Sequence, residues 1–516
     1  MFCRVKSGGV LGIEGFEVDV EVDVSNGLPQ FSIVGLPDKA INEAKDRVRS
    51  ALKNSGFQLP IKRITVNLSP SHLKKQGTLY DLPIALGIVS LSTGISLPED
   101  YVILGELSLD GRLNPVKGVL PIVLSLKSLG YRLFVVPQGN AKEGAIVKGA
   151  EVYGFETLGE VVDFLKGSLQ KKPTEFNLQE LFEKGQGFDV DFSEVYGQHQ
   201  AKRAAQIAAA GMHHLMLVGP PGAGKSMIAK RLITIMPPLT FEEAIEVTRI
   251  YSVAGLLDEK TPIVIDRPFR NPLTNSSDSA LVGGGSLPQP GEISLAHRGI
   301  LFLDEFPEFS RKAIESLRQP LEDGKVTVSR VGGRITFPSE FLLVVALNPC
   351  PCGNYGNPYR PCVCTPAQLK AYQTKISGPI IDRIDLKVWV SPVEQEELLR
   401  MKGGESSESM REKVIKAWEI QKERFKNSKT KYNSRMTNEE IKKYCPLTQE
   451  AQRLLKNAME RLNLTGRGYV KVLRVSRTIA DLEAQEKIHS HHVAEALQYR
   501  LIGEGEVVFK TNHSVY

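Results

Sequence analysis

The sequence predicts an α/β fold that holds a phosphate-binding loop. Residues 219–226 read Gly-Pro-Pro-Gly-Ala-Gly-Lys-Ser, which fits the P-loop template in full. The apolar run 215–218 enters this octet, as a buried strand enters a P-loop, and helix-forming residues follow it. A second apolar run, 300–303, ends in the two carboxylates Asp304 and Glu305. Apolar strands that end in polar groups are typical of parallel nucleotide-binding sheets.

Composition and charge are those of a soluble globular chain. Its 516 residues suffice for about three domains, and 41% of them are hydrophobic and 24% charged. The net charge of +6 permits nucleic-acid binding without requiring it, so a DNA site would be a local patch. We find neither an apolar run of about 20 residues nor the layout of a signal peptide at the N-terminus. We therefore expect a cytoplasmic protein with no membrane contact.

The chain divides into three predicted domains and one linker. Residues 1–165 alternate strand-like and helix-like runs and predict a complete α/β domain. Residues 166–191 are polar and contain Pro and Gly, so we expect a linker there. Residues 192–402 carry the nucleotide motifs. Residues 403–516 begin with a Gly- and Ser-rich stretch and read as a mainly helical domain.

The P-loop predicts that the chain binds ATP with Mg²⁺. Its glycines let backbone N–H groups converge on phosphate oxygens without Cβ atoms in the way. Lys225 would supply positive charge to the β- and γ-phosphates, and the Ser226 hydroxyl would ligate Mg²⁺. The alternative, an ordinary glycine-rich connection, does not require a lysine and a serine in register. The predicted ATP-binding loop consists of Gly219, Pro220, Pro221, Gly222, Ala223, Gly224, Lys225 and Ser226.

Three polar residues at predicted strand ends complete the hydrolysis chemistry. Asp304 would hold the Mg²⁺ shell and Glu305 would orient and deprotonate the attacking water. An apolar strand that ends in Asp-Glu is common by chance and gains its meaning from the P-loop. Asn348 follows the apolar run 341–347 and could hold the attacking water, although taken alone it is a turn residue.

Arg383 lies between Asp382 and Asp385 and has two interpretations. One is a local salt bridge. The other is a stabilising arginine supplied to the active site of an adjacent subunit, which is worth about 10³ to 10⁵ in rate.

These features together resemble the AAA+ ATPases. Three stretches, 192–204, 282–297 and 473–482, narrow the resemblance to the magnesium-chelatase-like family of competence protein ComM and YifB. The resemblance extends over the whole chain. It implies that Val195, Tyr196 and Gly197 border the adenine.

The same resemblance implies an oligomeric ring, expected to be a hexamer, whose active sites are shared between subunits. In that family Asn348 would be the residue called sensor 1, and Arg383 would be the finger that acts on the neighbouring subunit. For sensor 2 we choose Arg474, with Arg477 one helical turn later as the competitor.

The N-terminal domain resembles the proteolytic domain of Lon, which has a ribosomal S5-like fold. The resemblance lies in residues 77–88, 104–113 and 135–140. Lon needs a serine and a lysine where this chain has Leu79 and Ile122, which cannot act as nucleophile or base. We therefore expect a proteolytically inactive domain that binds a partner or organises the ring. The alternative, a displaced catalytic dyad, would draw on Ser69, Ser71, Lys74 and Lys75.

Four cysteines form two C-x-C pairs, separated by nine residues. Four thiolates suit tetrahedral Zn²⁺, although one residue inside each pair is fewer than the usual two to four. Reduced thiols in an ordinary loop and redox chemistry are the alternatives. The predicted zinc ligands are Cys350, Cys352, Cys362 and Cys364.

Residues 325–337 predict a hairpin, because two alternating runs meet at paired glycines. Arg330 and Arg334 would lie near its tip and Lys325 at its base. In ring-forming relatives an insertion hairpin here lines the central pore, where cationic side chains could hold DNA phosphates. The alternative is a surface hairpin whose charges are merely solvated.

The leading hypothesis for function is an ATP-hydrolysing ring that moves along single-stranded or branched DNA. The resemblance to the ComM family implies a helicase that promotes branch migration during natural transformation. A chelatase-type motor subunit and a protein-remodelling ATPase remain alternatives, whereas an ATP-dependent protease is disfavoured by Leu79 and Ile122.

Overall fold

The structure is a computed structural model that describes residues 1–183, 187–285, 288–330, 333–375, 378–393, 403–462 and 464–500. Within these residues the strands are β1 (Phe2–Leu11), β2 (Glu14–Ser25), β3 (Gln30–Val34), β4 (Arg63–Ser69), β5 (Tyr101–Ile103), β6 (Glu106–Leu107), β7 (Leu113–Asn114), β8 (Leu133–Pro137), β9 (Glu151–Phe155), β10 (Leu215–Val218), β11 (Phe269–Arg270), β12 (Gly283–Gly284), β13 (Gln289–Pro290), β14 (Ile300–Leu303), β15 (Lys325–Arg330), β16 (Gly333–Pro338), β17 (Leu342–Leu347) and β18 (Leu386–Trp389).

The helices of the described residues are α1 (Lys39–Asn54), α2 (Asp81–Thr93), α3 (Val119–Ser128), α4 (Gln138–Ala145), α5 (Leu158–Leu165), α6 (Leu178–Glu183), α7 (His199–Gly211), α8 (Lys225–Arg231), α9 (Phe241–Ala254), α10 (Asp278–Val282), α11 (Glu292–Leu295), α12 (Arg311–Ser316), α13 (Arg318–Asp323), α14 (Pro366–Lys375), α15 (Gly378–Ile381), α16 (Ser407–Arg424), α17 (Asn438–Tyr444), α18 (Gln449–Arg461), α19 (Gly466–Leu482) and α20 (Ser490–Gln498). None of these helices has both the length and the apolar content that crossing a bilayer requires.

The N-terminal sheet is mixed. In the described part of the chain it holds seven strands, in the order β3-β4-β2-β1-β5-β8-β9. Strands β1 and β2 form a long antiparallel hairpin, in which Phe2 pairs with Asp23 and Leu11 with Glu14. Alternate residues of β2 are buried, and α2 is buried from Asp81 to Val89, so α2 packs inside the domain. The α/β expectation for this part of the chain is confirmed.

The second sheet is parallel. Within the described residues it has five strands, in the order β11-β14-β17-β10-β18. Every residue of β10, β14 and β17 is buried, because helices cover both faces of the sheet. The apolar runs 215–218, 300–303 and 341–347 are therefore central strands, and the predicted fold class is confirmed.

The C-terminal helices pack against the parallel sheet and share its core. The Trp418 indole on α16 donates to the carbonyl of Ala209 at 2.9 Å, and the Gln421 amide donates to the carbonyl of Ala210 at 2.7 Å. Arg267 lies over the Trp418 ring at 4.9 Å from its centre. The helical expectation for residues 403–500 is met, and residues 501–516 lie outside the described residues.

Two segments lie elsewhere than the predicted domain bounds suggest. The backbone N–H of Thr174, in the expected linker, donates to the carbonyl of Val152 at 2.7 Å, so the segment lies along the N-terminal sheet. Helix α9, which follows the P-loop helix, packs on α3 of the N-terminal domain, and Val247 and Ile263 join that domain's core. The domain bounds predicted from sequence could not reveal that α9 packs in the N-terminal core, because apolar residues do not specify which core they enter.

Candidate active site

The strand order brings three sets of polar residues to one edge of the parallel sheet. Strand β17 lies between β10 and β14; Val218 pairs with Leu347, and Leu303 pairs with Val345. Because the strands are parallel, their carboxyl ends meet at the same edge. The P-loop, the Asp304-Glu305 pair and Asn348 therefore leave the sheet side by side.

The glycines of the P-loop serve two different purposes. Gly222 and Gly224 adopt φ values of +78° and +92°, a left-handed conformation that other residues rarely take. A Cβ atom at either position would meet nothing within 4 Å, so the space over the loop is open. A Cβ atom at Gly219 would instead lie 2.2 Å from the carbonyl oxygen of Val390, so this glycine permits close packing.

Lys225 folds back onto its own loop. Its ammonium donates to the carbonyl oxygens of Gly219 at 2.7 Å and Pro220 at 2.9 Å, and to Asn348 Oδ1 at 3.1 Å. Burial lowers the pKa of Lys225 to about 8, although the charge of Asp304 opposes this shift. The side chain is thus positioned at the loop with three weak partners that a phosphate could replace.

Ser226 and Asp304 lie in direct contact. The serine hydroxyl donates to Asp304 Oδ2 at 2.6 Å, and a hydroxyl and a carboxylate are oxygen donors that suit Mg²⁺. The backbone N–H of Glu305 donates to the other Asp304 oxygen at 3.0 Å. Glu305 itself is exposed, with a φ of +50°, and lines a cavity of about 450 Å³ together with Asn348.

The segment expected to border the adenine lies against the P-loop. Val195 is buried, and Tyr196 and Gly197 are half-buried. The Gln198 amide donates to the carbonyls of Ala223 at 3.2 Å and Ser391 at 2.5 Å, and so ties this segment to the loop. Sequence reasoning did not single out Gln198, although a polar residue directly after Tyr-Gly was available as a signal.

Comparison with known proteins identifies the family. Residues 191–398 match the family described as magnesium chelatase, subunit ChlI; residues 20–140 match subunit ChlI of Mg-chelatase; residues 404–500 match the C-terminal part of that subunit. Competence protein ComM of Haemophilus influenzae is 43% identical over 503 residues, which are 96% of this chain and 97% of that protein. The chain belongs to the magnesium-chelatase-like ComM/YifB family.

Other relatives agree with this assignment. YifB of Salmonella typhimurium, described as uncharacterized, is 41% identical over 503 residues, 96% of this chain and 97% of that protein. Magnesium-chelatase subunit ChlI of Euglena gracilis is 26% identical over 182 residues, 31% of this chain and 52% of the subunit. Membership makes this chain an ATPase of the AAA+ type, which works as an oligomer, and it indicates ATP and Mg²⁺ as the cofactors.

In this family member Arg383 lies at the sheet edge opposite the P-loop. Strands β10 and β18 run parallel, with Leu215 beside Leu386 and Val218 beside Trp389. Arg383 precedes β18, whereas the P-loop follows β10, so the length of the strands separates them. The guanidinium donates to the Pro379 carbonyl and pairs with Glu322.

Two further arginines lie near Arg383 in this ComM/YifB-family chain. Burial, followed by the charges of Arg318 and Arg467, lowers the pKa of Arg383. Arg318 and Arg467 are exposed, on α13 and α19 respectively. Sequence reasoning missed both residues, because only the tertiary structure brings these helices beside residue 383.

The two sensor 2 candidates make their hydrogen bonds inside the helical domain. The Arg474 guanidinium donates to the Met436 carbonyl. Arg477 is only 1% exposed, and its guanidinium binds Asp481 Oδ1 at 3.0 Å and the Glu486 carbonyl at 2.6 Å. Withdrawing Arg477 would break these hydrogen bonds of a buried guanidinium, which weighs against a nucleotide role. Arg474 stays a prediction.

The four cysteines of the predicted zinc site converge. The Sγ atoms of Cys350 and Cys352 are 3.3 Å apart, and Cys362 Sγ lies 3.7 and 3.6 Å from them. Cys364 completes a set whose sulfur atoms all lie within 4.8 Å, and all four are free thiols. Tetrahedral zinc with Zn–S bonds of about 2.3 Å needs sulfur atoms about 3.8 Å apart, so these residues fit the ion.

The predicted hairpin is present, formed by β15 and β16. Arg330 pairs with Gly333, and the turn between them and the side chain of Arg330 lie outside the described residues. Lys325 and Arg334 are exposed, and the apolar residues of the two strands are buried. The hairpin lies beside the β1–β2 turn, since a Cβ atom at Gly12 would approach Ile335 within 2.9 Å. Contact with DNA stays a prediction.

At the two positions where Lon has its catalytic serine and lysine, the described N-terminal domain has apolar residues. Leu79 is 6% exposed and Ile122 is fully buried, both in the apolar core. Lys75 of the displaced dyad donates to the carbonyl oxygens of Gly35 at 3.2 Å and Pro70, and burial lowers its pKa. The lack of proteolytic activity stays a prediction that this geometry supports.

Proposed function

We propose that this chain is a ring-forming ATPase motor that moves along DNA and remodels branched DNA. The observation that carries the proposal is the split of the hydrolysis residues between opposite edges of one sheet. A finger at the far edge serves a neighbouring subunit and not its own chain, so hydrolysis requires assembly. The similarity to competence protein ComM supports DNA as the track.

Each residue of the P-loop edge has a defined part in this proposal. Ser226 and Asp304 would hold Mg²⁺, which would neutralise phosphate charge when bound. Lys225 exchanges its carbonyl partners and Asn348 for the β- and γ-phosphate oxygens. Asn348, released from the lysine, holds the attacking water, and Glu305 takes its proton.

Arg383 is the residue that makes the site intermolecular. In the isolated chain its charge is compensated by Glu322, and in the ring it would turn to the γ-phosphate of the neighbour. We propose a hexamer, in which six such contacts close a ring with one repeated interface. Arg318 and Arg467 add positive charge at the same edge.

The β15–β16 hairpin is the proposed DNA contact. Lys325, Arg330 and Arg334 would bind phosphates through charge alone, which gives binding without sequence preference that weakens as salt rises. The net charge of the chain is small, so this local patch is what distinguishes a DNA motor from a motor that acts on protein.

We also propose that the chain binds a zinc ion. The sulfur spacing supports a structural ion held by Cys350, Cys352, Cys362 and Cys364, which would close the loop between β17 and α14.

A second function is favoured by one observation: the matching families are described as magnesium-chelatase subunit ChlI. The chain would then be an ATPase subunit that acts on a protein partner, and its hairpin would have no DNA to bind.

ATP hydrolysis measured with and without forked and single-stranded DNA separates the two functions. We expect DNA to raise the rate, and we expect DNA affinity to fall steeply with salt. A joint Ala substitution of Lys325, Arg330 and Arg334 should reduce affinity and lower the salt slope by about one per lost phosphate contact. Lys39→Ala is the matched control, because this lysine is 94% exposed on the N-terminal domain.

The outcomes are distinct. A rate that no DNA changes, together with the absence of salt-dependent binding, would exclude the DNA motor and favour the chelatase-type function. Lys225→Ala should abolish nucleotide binding or turnover, and Glu305→Gln should keep binding and stop turnover. Wild-type turnover in either variant would reject the proposed roles.

A further inference from the structure

Asn348, at the carboxyl end of β17, accepts a hydrogen bond from a helix outside the sheet. After Asn348 the chain leaves β17, runs through the cysteine loop and returns as α14. From α14 the phenol of Tyr372 donates to the main-chain carbonyl of Asn348 at 3.1 Å. The two ends of the loop therefore lie beside each other, and this hydrogen bond joins them.

Tyr372 is placed by burial. It is 7% exposed, and it is the buried residue that α14 contributes, while the rest of that helix faces solvent or is half-exposed. Because the helix has so little other apolar attachment, the ring and its hydroxyl hold α14 against the strand tip. A tyrosine with a buried body and a bonded hydroxyl has one favoured position.

The same loop also touches the P-loop. A Cβ atom at Gly353 would lie 2.5 Å from Pro221 Cδ, so the cysteine loop packs directly on the phosphate-binding turn. Tyr372, Asn348, Glu305 and Lys375, at the end of α14, line a common cavity of about 450 Å³. The cavity lies where the attacking water would approach, beside the carboxylate and the amide.

We propose that Tyr372 is a positioning residue for ATP hydrolysis, which sets the orientation of Asn348 by holding its main-chain carbonyl. This inference rests on the proposed role of Asn348. When nucleotide binds, the side-chain amide of Asn348 has to release Lys225 and bind the attacking water. Because Tyr372 holds the main-chain carbonyl of Asn348 in place, the amide stays within reach of the water during this change of partner. In this role Tyr372 acts through Asn348, because its hydroxyl is bonded to the Asn348 carbonyl.

Tyr372→Phe tests this role, because it removes the hydroxyl and keeps the buried ring. We expect kcat to fall about fivefold, the effect of one neutral hydrogen bond, with the affinity for a non-hydrolysable ATP analogue and the zinc content unchanged. Tyr359→Phe is the matched control: this tyrosine lies in the same loop, is 65% exposed, and should leave kcat unchanged.

A double variant shows whether the effect passes through Asn348. Asn348→Ala alone should reduce kcat, and adding Tyr372→Phe to it should cause no further loss. A full additional fivefold loss would overturn the inference and leave Tyr372 as a packing residue, as would a wild-type kcat in Tyr372→Phe. If Asn348→Ala leaves kcat unchanged, the proposed role of Asn348 fails instead.

Discussion

Mixing two inactive variants tests whether neighbouring chains share an active site. Arg383→Ala removes the guanidinium at the amino edge of the sheet, and Glu305→Gln removes the carboxylate beside the P-loop. Residues 386–389 of β18 span the sheet between these edges at about 3.3 Å each, so Arg383 lies on the order of 10 Å or more from its own phosphate site. A single chain cannot bring both groups to one phosphate.

The expected recovery follows from this separation. A site is complete when its own chain carries Glu305 and the neighbour carries Arg383. In a random equal mixture each condition is met about half of the time, so about a quarter of the sites are complete. Each variant alone should be inactive, with Arg383→Ala reduced by about 10³ to 10⁵. Steady-state ATP hydrolysis of the mixture should therefore reach about a quarter of the wild-type rate.

The control uses two lesions that fall in the same site. Lys225→Ala mixed with Glu305→Gln should show no recovery, since every chain then carries a defect in its own P-loop site. Differently tagged chains must co-purify in both mixtures, which shows that the subunits exchange. Failure of the first mixture to recover, with co-purification observed, would refute the shared site and leave Arg383 as the ion-pair partner of Glu322.

Three further predictions concern protonation, stability and metal. Burial lowers the pKa of Lys225 to about 8, so the ammonium is charged below that pH. The affinity for an ATP analogue should therefore be constant below about pH 8 and should fall by up to about tenfold per pH unit above it. Lys225→Arg should abolish this dependence on pH. Arg477→Met should lower the free energy of unfolding in urea by about 2 kcal/mol. The substitution removes the hydrogen bonds of a buried guanidinium to Asp481 and the Glu486 carbonyl, while Arg424 still pairs with Asp481; an unchanged midpoint would contradict the internal role. Cys362→Ser should reduce zinc, measured after purification without chelator, from about one ion per chain to near zero, whereas Cys3→Ser should not.

The sheet edge could be predicted from sequence because its signals are local. Each of the runs 215–218, 300–303 and 341–347 is apolar throughout; the first leads into the P-loop, and the other two are followed by Asp304 and Asn348. Parallel strands place their carboxyl ends at the same edge of a sheet, so the meeting of these strand ends followed from the strand type alone. The four cysteines likewise converge as their spacing predicted.

Long-range packing could not be predicted in the same way. Arg474 and Arg477 are equivalent in sequence terms, but one turn of helix directs Arg477 to a buried carboxylate. Residues 241–254 are amphipathic in any context, and only the folded chain shows that this helix enters the N-terminal core.

The sequence by itself predicted the chemistry: a phosphate loop, carboxylates for magnesium and the attacking water, an amide at a strand end and a four-thiol cluster, because each depends on residue types within a local run of the chain. The tertiary structure alone decided which groups share a site. It separated Arg383 from the P-loop by the length of a strand, and it joined Tyr372 to Asn348 across a loop. These distances depend on how strands and helices pack, and no local pattern in the chain records them.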